Sequence, residues 1–298
     1  MKEMESLMNI SNPAKRYTAP TSARCSLGLK AAFMIAALLC TSFLHGCSRP
    51  EGGIVIAGST SVQPYVEILS EEFASLYPDI AIDIQGGGSS AGITAAEAGT
   101  AQIGMSSRSL KDKELDRGLW SVEIAKDGLA VIVHPENPVK GLTYEQVRSI
   151  YAGEIVNWEQ VGGNNAKIHL IAREEGSGTR SAFEDLFMGE KYITPKAIVQ
   201  NSNGSVKQLV ADDKNSIGFI SLGLCDSKVA ALELNGVAAT HENIVNGSYQ
   251  MYRPFLFVAN SEPIGDAKLF IDYILSDEGQ KLLLENGLIP ATEGIEKG

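Results

Sequence analysis

The sequence predicts an α/β fold with mainly parallel sheets, on two observations. Short apolar segments typical of buried strands alternate with segments whose apolar residues recur at helical spacing. The 298 residues are 44% apolar and 20% charged, as in an ordinary globular protein of one or two domains. Strands that alternate with helices pair mostly in parallel, because each helix returns the chain to the starting edge of the sheet.

The first predicted elements are a strand, a helix and a second strand. Gly53–Gly58 (GIVIAG) has the composition of a buried strand, and apolar positions then recur at helical spacing from Val62 to Leu76. Ile80, Ile82 and Ile84 alternate as in a strand. Two strands and a helix are predicted next: QIGMS at 102–106, GLAVIVH at 128–134 and the helix YEQVRSIYAG at 144–153, with Gly153 as its C-terminal stop.

The second half of the chain continues the alternation. KIHLIA at 167–172 predicts a strand that leads into the helical segment SAFEDLF at 181–187. SIGFISLG at 216–223 and RPFLFVAN at 253–260 predict two late strands. The chain then closes with helix over AKLFIDYILSDEGQKLLLENG, residues 267–287.

The N-terminal region is predicted to be an export signal. Basic residues precede a largely apolar run of 14 residues, Ala31–Leu44, which matches the h-region of a signal peptide and is short for a membrane span. Leu44-His45-Gly46-Cys47 resembles the lipobox of bacterial lipoproteins, with His45 where a small residue is usual. We expect residues 1–46 to be a signal peptide and residues 47–52 a linker lipidated on Cys47. An uncleaved signal anchor is the alternative, and both interpretations export the remaining chain.

The charge of the chain argues against nucleic acid as a partner. The whole sequence carries −11, and residues 1–46 contribute +3 from five Lys or Arg and two Glu, so residues 47–298 carry −14. A protein that binds a phosphate backbone needs a basic face, and the sequence has no basic run. Any small anion must therefore be held by local geometry. Cys25 and Cys40 lie in the predicted signal peptide, which leaves Cys225 without a disulfide partner.

Three strand-to-helix turns share a composition of glycine and hydroxyl residues. They are Gly58-Ser59-Thr60-Ser61, Gly86-Gly87-Gly88-Ser89-Ser90 and Gly176-Ser177-Gly178-Thr179. Glycine lets the backbone approach a ligand, and the start of a helix directs free N–H groups and the positive end of its dipole towards one point. Helix capping alone explains any single turn, since Ser and Thr are favoured caps. Together the three turns predict an oxyanion site.

Two arginines flank the third turn. Arg173 stands at the end of the preceding strand, where its planar guanidinium can donate two parallel hydrogen bonds to a tetrahedral oxyanion. Arg180 lies in the first helical turn, where a cation opposes the helix dipole unless something offsets it. Either a bound anion or a carboxylate, such as Glu175 or Glu184, would offset it.

At these residues the chain resembles the phosphate-binding proteins that serve Pst-type ABC transporters. AGSTSVQPY, IDIQGGGSSAGI, QIGMSSRSLK, AREEGSGTRSAF and SIGFISLG occur in the order and approximate spacing of that family, from about residue 53 to the end. The resemblance implies a two-lobed, periplasmic-binding-protein-like fold of type II, with the ligand cleft between the lobes. We place lobe 1 at 53–130 and 254–298 and lobe 2 at 131–253, with crossings near GLAVIV and YRPFLFV.

The resemblance also implies which residues contact phosphate. They are Ser61, the backbone of Val62, Ser89, Ser107, Arg108, Arg173, Ser177, Gly178 and Thr179. Glu175 is implied as the acid that orients Arg173. The best-known members carry, at the position of Ser107, an Asp that accepts the proton of phosphate. A carboxylate there repels sulfate, which has no proton to donate, whereas a hydroxyl discriminates less because it can donate or accept.

The sequence therefore predicts a binding protein and no enzyme. We expect an extracytoplasmic lipoprotein that captures inorganic phosphate between its lobes and delivers it to the permease subunits of an ABC transporter. It should act as a monomer, without a cofactor, a metal or nucleic acid. A receptor for sulfate, molybdate or tungstate is the nearest alternative.

The alternative from another class is a secreted serine hydrolase. Gly88-Ser89-Ser90-Ala91-Gly92 matches the G-x-S-x-G elbow, in which Ser90 would be the nucleophile. Asp212 or Asp213 and then His241 follow in the chain order that such a triad requires. His241, however, lies in the polar segment ATHENIVNG, which predicts a surface loop.

Overall fold

The computed structural model describes residues 53–294. The predicted signal peptide and the linker with Cys47 lie outside the described residues. Within 53–294 the chain forms twelve strands: β1 (Gly53–Gly58), β2 (Ala81–Gly86), β3 (Ile103–Ser106), β4 (Trp120–Val133), β5 (Gly141–Leu142), β6 (His169–Arg173), β7 (Ile198–Gln200), β8 (Ser216–Ser221), β9 (Ala230–Ala231), β10 (Glu233–Leu234), β11 (Tyr252–Ala259) and β12 (Ile289–Pro290).

The same residues form nine α-helices. They are α1 (Gln63–Leu76), α2 (Ser89–Glu97), α3 (Asp112–Leu115), α4 (Tyr144–Ala152), α5 (Gly178–Phe183), α6 (Asn203–Asp212), α7 (His241–Val245), α8 (Gly265–Leu275) and α9 (Asp277–Glu285). Helix α5 continues into a π-helical turn, Glu184–Met188. Within the described part of the chain, no helix is long and apolar enough to cross a membrane.

Local sequence signals explain where the predicted elements begin and end. Helix α4 begins after Thr143, whose side chain accepts a hydrogen bond from the N–H of Gln146, and ends at Gly153 in the left-handed conformation, as predicted. Strand β4 is longer than the predicted 128–134. Its first half, Trp120–Asp127, was not predicted as strand because it mixes charged with apolar residues. The apolar pattern identifies only the fully buried second half of that strand.

A single sheet path runs in the order β2-β1-β3-β11-β4-β8-β6-β7. β1 pairs in parallel with β2 and β3 at one end, and β6 pairs in parallel with β7 and β8 at the other. The predicted parallel pairing is thus found in both outer parts. Between them, β11 and β4 are antiparallel to each other and to their outer neighbours, β3 and β8.

Strands β4 and β11 connect two lobes, which we define as the parts around β2-β1-β3 (lobe 1) and β8-β6-β7 (lobe 2). β4 pairs with β11 up to Gly128 and with β8 from Leu129 onwards. The chain therefore leaves lobe 1 along β4 and returns along β11, which begins at Tyr252. The fold is the two-lobed one that the resemblance implies, and the boundaries at 130 and 253 stay a prediction.

Each lobe has its own hydrophobic core. In lobe 1, Phe73 and Phe270 pack edge to face with their ring centroids 5.0 Å apart. In lobe 2, Phe183 stacks on Phe219 at 4.1 Å and on Phe187 at 4.7 Å, and all three rings are buried. Burying one such side chain contributes roughly 1.5–3 kcal/mol. The stack holds α5 against the sheet, and so fixes the turn that precedes α5.

Candidate anion-binding site

The first glycine-hydroxyl turn follows β1. Gly58 has a φ of +139°, and a Cβ there would collide with the carbonyl oxygen of Met105, so only glycine fits this position. The hydroxyl of Ser59 accepts a hydrogen bond from the N–H of Ser61 at 3.2 Å. The N–H of Val62 donates to the carbonyl of Ser59 at 3.1 Å. The turn thereby directs Ser61 into the interior, where it has no solvent exposure.

The second turn follows β2 and lies against the first. The N–H groups of Gly87 and Gly88 donate to the carbonyl of Gly58 at 2.8 and 2.9 Å. Helix α2 then begins at Ser89, whose hydroxyl accepts a hydrogen bond from the N–H of Ser107 at 3.0 Å and lies 3.2 Å from the hydroxyl of Ser107. The hydroxyl of Ser59 donates to that of Ser107 at 2.8 Å. Three buried hydroxyls thus form one chain in lobe 1.

The third turn, from lobe 2, meets the second across the cleft. The hydroxyl of Ser177 caps α5 by accepting from the N–H of Arg180 at 3.3 Å. The carbonyl of Gly176 accepts a hydrogen bond from the N–H of Ser90 at 3.1 Å. A Cβ on Gly178 would lie 2.6 Å from the hydroxyl of Ser107 and closer still to that of Ser89. The backbone of lobe 2 therefore packs directly on the hydroxyl chain of lobe 1.

Ser61 is the centre at which the lobes meet. Its hydroxyl lies 2.8 Å from the hydroxyl of Thr179 in α5. It also accepts hydrogen bonds from the Nδ2 of Asn203, at the start of α6, at 2.8 Å and from the Nη2 of Arg253, in β11, at 3.1 Å. Polar groups of lobe 2 and of a connecting strand thus converge on one buried hydroxyl of lobe 1.

Arg173 lies at the end of β6 with a side chain only 1% exposed. Its Nε and Nη2 donate to the two carboxylate oxygens of Glu174 at 2.9 and 2.8 Å, and Nη2 also lies 3.2 Å from the hydroxyl of Thr60. The expectation that Glu175 orients this arginine is wrong, because the neighbouring Glu174 makes the two-pronged contact. The Nη1 of Arg173 is buried and has no hydrogen-bond partner among the described residues.

A second buried guanidinium belongs to Arg253. Its Nε and Nη2 donate to Oδ2 of Asp127 at 3.1 and 2.9 Å, and Ser221 donates to Oδ1 at 2.7 Å. Burial raises the pKa of Asp127, against the attraction of Arg253 and the hydrogen bond from Ser221. Burial lowers the pKa of Arg253, and the nearby charge of Arg173 acts in the same direction, against the attraction of Asp127. Two cations therefore share one dry region.

The other two predicted cations have partners of their own. Arg108 donates from both terminal nitrogens to the carboxylate of Glu114 at 2.8 Å, which lowers the pKa of Glu114. Arg180 donates from Nε to Glu184 at 2.9 Å and from Nη1 to the carbonyl of Arg173 at 3.0 Å. Glu184 is therefore the carboxylate that offsets the first-turn position of Arg180.

The serine hydrolase alternative is wrong, because its three groups are engaged elsewhere. The hydroxyl of Ser90 accepts from the Nη2 of Arg108 at 3.3 Å. Asp213 pairs with His169 at 2.6 Å, and Asp212 accepts from a glutamine one turn earlier in α6. His241 lies in the short helix α7, where the sequence predicts a loop, and its Nε2 is 3.6 Å from a carboxylate oxygen of Glu293.

Sequence reasoning missed three residues of this site. Asn203 follows β7 in a fourth strand-to-helix turn, Ser202-Asn203-Gly204-Ser205, whose composition matches the other three. Asp127 and Arg253 carry opposite charges, and they lie just before and at the start of two predicted strands. That was the only sequence signal that could have paired them. Within residues 53–294, no group of three or more His, Cys, Asp or Glu side chains could hold a metal ion. Two guanidiniums surrounded by hydroxyls can instead hold a small anion.

Comparisons with known proteins point to one family. A family model described as a PBP superfamily domain matches residues 42–278. The phosphate-binding protein PstS of Bacillus subtilis is 32% identical over 279 residues, which cover 89% of this chain and 93% of that protein. PstS of Borreliella burgdorferi is 30% identical over 275 residues, covering 88% of this chain and 99% of that protein.

Two solved structures are similar as well. A phosphate ABC transporter substrate-binding protein from Clostridium perfringens, with bound phosphate, is 44% identical with a TM-score of 0.79, and the match covers 81% of this chain and 100% of that chain. An ABC-type phosphate transport receptor from Vibrio cholerae is 41% identical with a TM-score of 0.67, and the match covers 79% and 99%.

Proposed function

The chain belongs to the PBP superfamily and, within it, to the family of PstS phosphate-binding proteins, and we propose that it captures inorganic phosphate for an ABC transporter. It is a binding protein and performs no chemistry. The observation that carries the proposal is the convergence of lobe 2 and a connecting strand on Ser61 of lobe 1. The adjacent Thr60 contacts Arg173, whose buried Nη1 has no partner among the described residues.

A dry site rich in hydrogen-bond donors suits a tetrahedral oxyanion. Phosphate presents four oxygens that accept hydrogen bonds, and each bond from a charged donor contributes roughly 1.5–3 kcal/mol. Residues 47–298 carry −14, so the general field of the protein repels anions. The buried guanidinium of Arg173 therefore supplies local attraction that the rest of the chain does not.

We assign the contacts to phosphate to residues of both lobes. Lobe 1 supplies Ser61, Ser89, Ser107 and the backbone N–H of Val62, which the anion would share with the carbonyl of Ser59. Lobe 2 supplies Arg173, Ser177, Gly178 and Thr179. The terminal nitrogens of Arg108 are held by Glu114, so we assign Arg108 the role of positioning Ser90 and the adjoining turn.

Contacts between the lobes favour closure around the anion. Ser61 meets Thr179, Ser90 meets Gly176, and the hydroxyls of Ser89 and Ser107 meet Gly178, all across the cleft. An anion that binds both sides at once stabilises the closed form relative to the open one, because only the closed form offers every contact together.

The same family assignment supports a place outside the cytoplasm. We propose that lipid on Cys47 anchors the chain to the membrane, that it acts as a monomer, and that its closed form docks on permease subunits. The apolar run before Cys47 and the polar residues after it support the anchor.

A calorimetric titration of the purified protein with phosphate, sulfate and molybdate tests the proposed function. Phosphate should bind most tightly. Sulfate should still bind measurably. The hydroxyl of Ser107 accepts a hydrogen bond from Ser59, so its own proton is directed towards Ser89 or the anion. This position therefore offers sulfate a donor, whereas a carboxylate would repel it. No heat with phosphate, or tighter binding of molybdate than of phosphate, would contradict the proposal.

A further inference from the structure

The two strands that connect the lobes carry a buried ion pair at directly opposed positions. Asp127 in β4 and Arg253 in β11 are register partners, two residues before β4 begins to pair with β8 at Leu129. Their side chains are 0% and 2% exposed. Removing two charges from water is costly, and an apolar pair of the same size often stabilises a fold better. The pair therefore calls for a role beyond holding the two strands together.

The guanidinium of Arg253 is only partly used by Asp127. Nε and Nη2 contact the carboxylate, and Nη2 also donates to the hydroxyl of Ser61 at 3.1 Å. Nη1 has no partner among residues 53–294 and no contact with solvent. A buried donor without an acceptor is unfavourable, so an acceptor that arrives with a ligand would remove that cost.

The unpartnered Nη1 lies close to the anion site. It belongs to the same planar group as Nη2, which contacts Ser61, and Ser61 in turn contacts Thr179 and Asn203. The second buried guanidinium, that of Arg173, has the same unpartnered Nη1 and is close enough to influence the ionisation of Arg253. Two neighbouring cations thus each have a free donor, and their Nη2 atoms contact adjacent residues, Ser61 for Arg253 and Thr60 for Arg173.

We propose that Arg253 is a second cationic ligand of the bound anion, contributed by a connecting strand, and that Asp127 holds its charge in place when no anion is bound. This inference rests on the proposed function and gives the bound anion a second charged donor, in addition to that of Arg173. Because Arg253 lies on β11 and its partner on β4, anion binding engages both connecting strands and couples capture directly to the movement of the lobes.

Calorimetric phosphate titrations of the full chain and four variants test this inference. Arg253→Gln should weaken phosphate binding about tenfold to a hundredfold, the equivalent of one charge-assisted hydrogen bond. Asp127→Asn removes the competing carboxylate, so its affinity should equal or exceed that of the wild type. The double variant Asp127→Asn/Arg253→Gln should stay as weak as Arg253→Gln. Arg117→Gln, at an exposed arginine paired with Glu97, is the matched control and should bind as the wild type does.

A purely structural ion pair gives the opposite pattern. Asp127→Asn would then weaken binding as much as Arg253→Gln, and the double variant, which leaves no unpaired buried charge, would regain affinity; either result overturns the inference. Where Arg253→Gln alone does not fold, the double variant still decides, because it contains no uncompensated charge. Wild-type protein that fails to bind phosphate would reject the proposed function, whereas tight binding by every variant would reject only the role of Arg253.

Discussion

Replacing Gly178 with alanine should block closure of the cleft without unfolding either lobe. Gly178 is the first residue of α5 and needs no left-handed backbone, so alanine suits its local conformation and slightly favours the helix. A Cβ there, however, would lie 2.6 Å from the hydroxyl of Ser107 and closer to that of Ser89. The substitution therefore acts on the contact between the lobes and on little else.

The size of the effect follows from the hydrogen bonds that must break. To make room, Ser89 must rotate away from the N–H and the hydroxyl of Ser107, which it contacts at 3.0 and 3.2 Å. Two hydrogen bonds at about 0.5–1.5 kcal/mol each amount to about 1–3 kcal/mol, or roughly five- to 150-fold in affinity. Ser89 would also lose its proposed contact with phosphate, so we expect the upper part of this range.

Calorimetry measures the affinity for phosphate, and thermal unfolding with and without phosphate measures the stability of the protein. Gly178→Ala should unfold at the wild-type temperature when phosphate is absent and show a much smaller shift when phosphate is added. Gly176→Ala is the matched control in the same turn, because the nearest atom to its added Cβ is the Cβ of Ser90 at 4.0 Å. Unchanged affinity in Gly178→Ala, or an equal loss in Gly176→Ala, would refute the reasoning.

Two further predictions concern the anchor and the selectivity of the site. Cys47→Ser should release the protein from the membrane fraction of the producing cells, because lipid attachment needs the thiol; a product that stays fully membrane-bound would favour an uncleaved signal anchor instead. In calorimetric titrations, Ser107→Asp should weaken sulfate binding at least tenfold more than phosphate binding, because a buried carboxylate accepts a proton that phosphate has and sulfate lacks. Equal losses for both anions would contradict a selective role for this position.

The sequence predicted the site best where polar residues lie at the ends of strands and the starts of helices. The three glycine-hydroxyl turns lie where strands end and helices begin, so their composition predicted their convergence. Arg173 was predicted as a ligand because it ends the strand before one of those turns. The same logic would have found Asn203, since its turn after β7 has the same composition.

The remaining features depend on geometry that composition does not contain. Asp127 and Arg253 are distant in sequence, and only the antiparallel register of β4 and β11 places them side by side. The choice of Glu174 rather than Glu175 as the partner of Arg173 depends on the backbone path after β6, where the N–H of Glu174 still donates to the carbonyl of Gln200. Spacing alone makes the two acids equivalent.

The most direct test of the account is a calorimetric phosphate titration of Arg173→Ala beside Arg180→Ala. Both variants remove a partly or fully buried guanidinium beside the same turn. Arg173 has a buried donor without a partner among the described residues, whereas Arg180 is held by Glu184 and by the carbonyl of Arg173. We predict that Arg173→Ala lowers affinity at least tenfold, and by more than Arg180→Ala does. Near wild-type affinity in Arg173→Ala, or a larger loss in Arg180→Ala, would contradict the claim that phosphate binds at this site through Arg173.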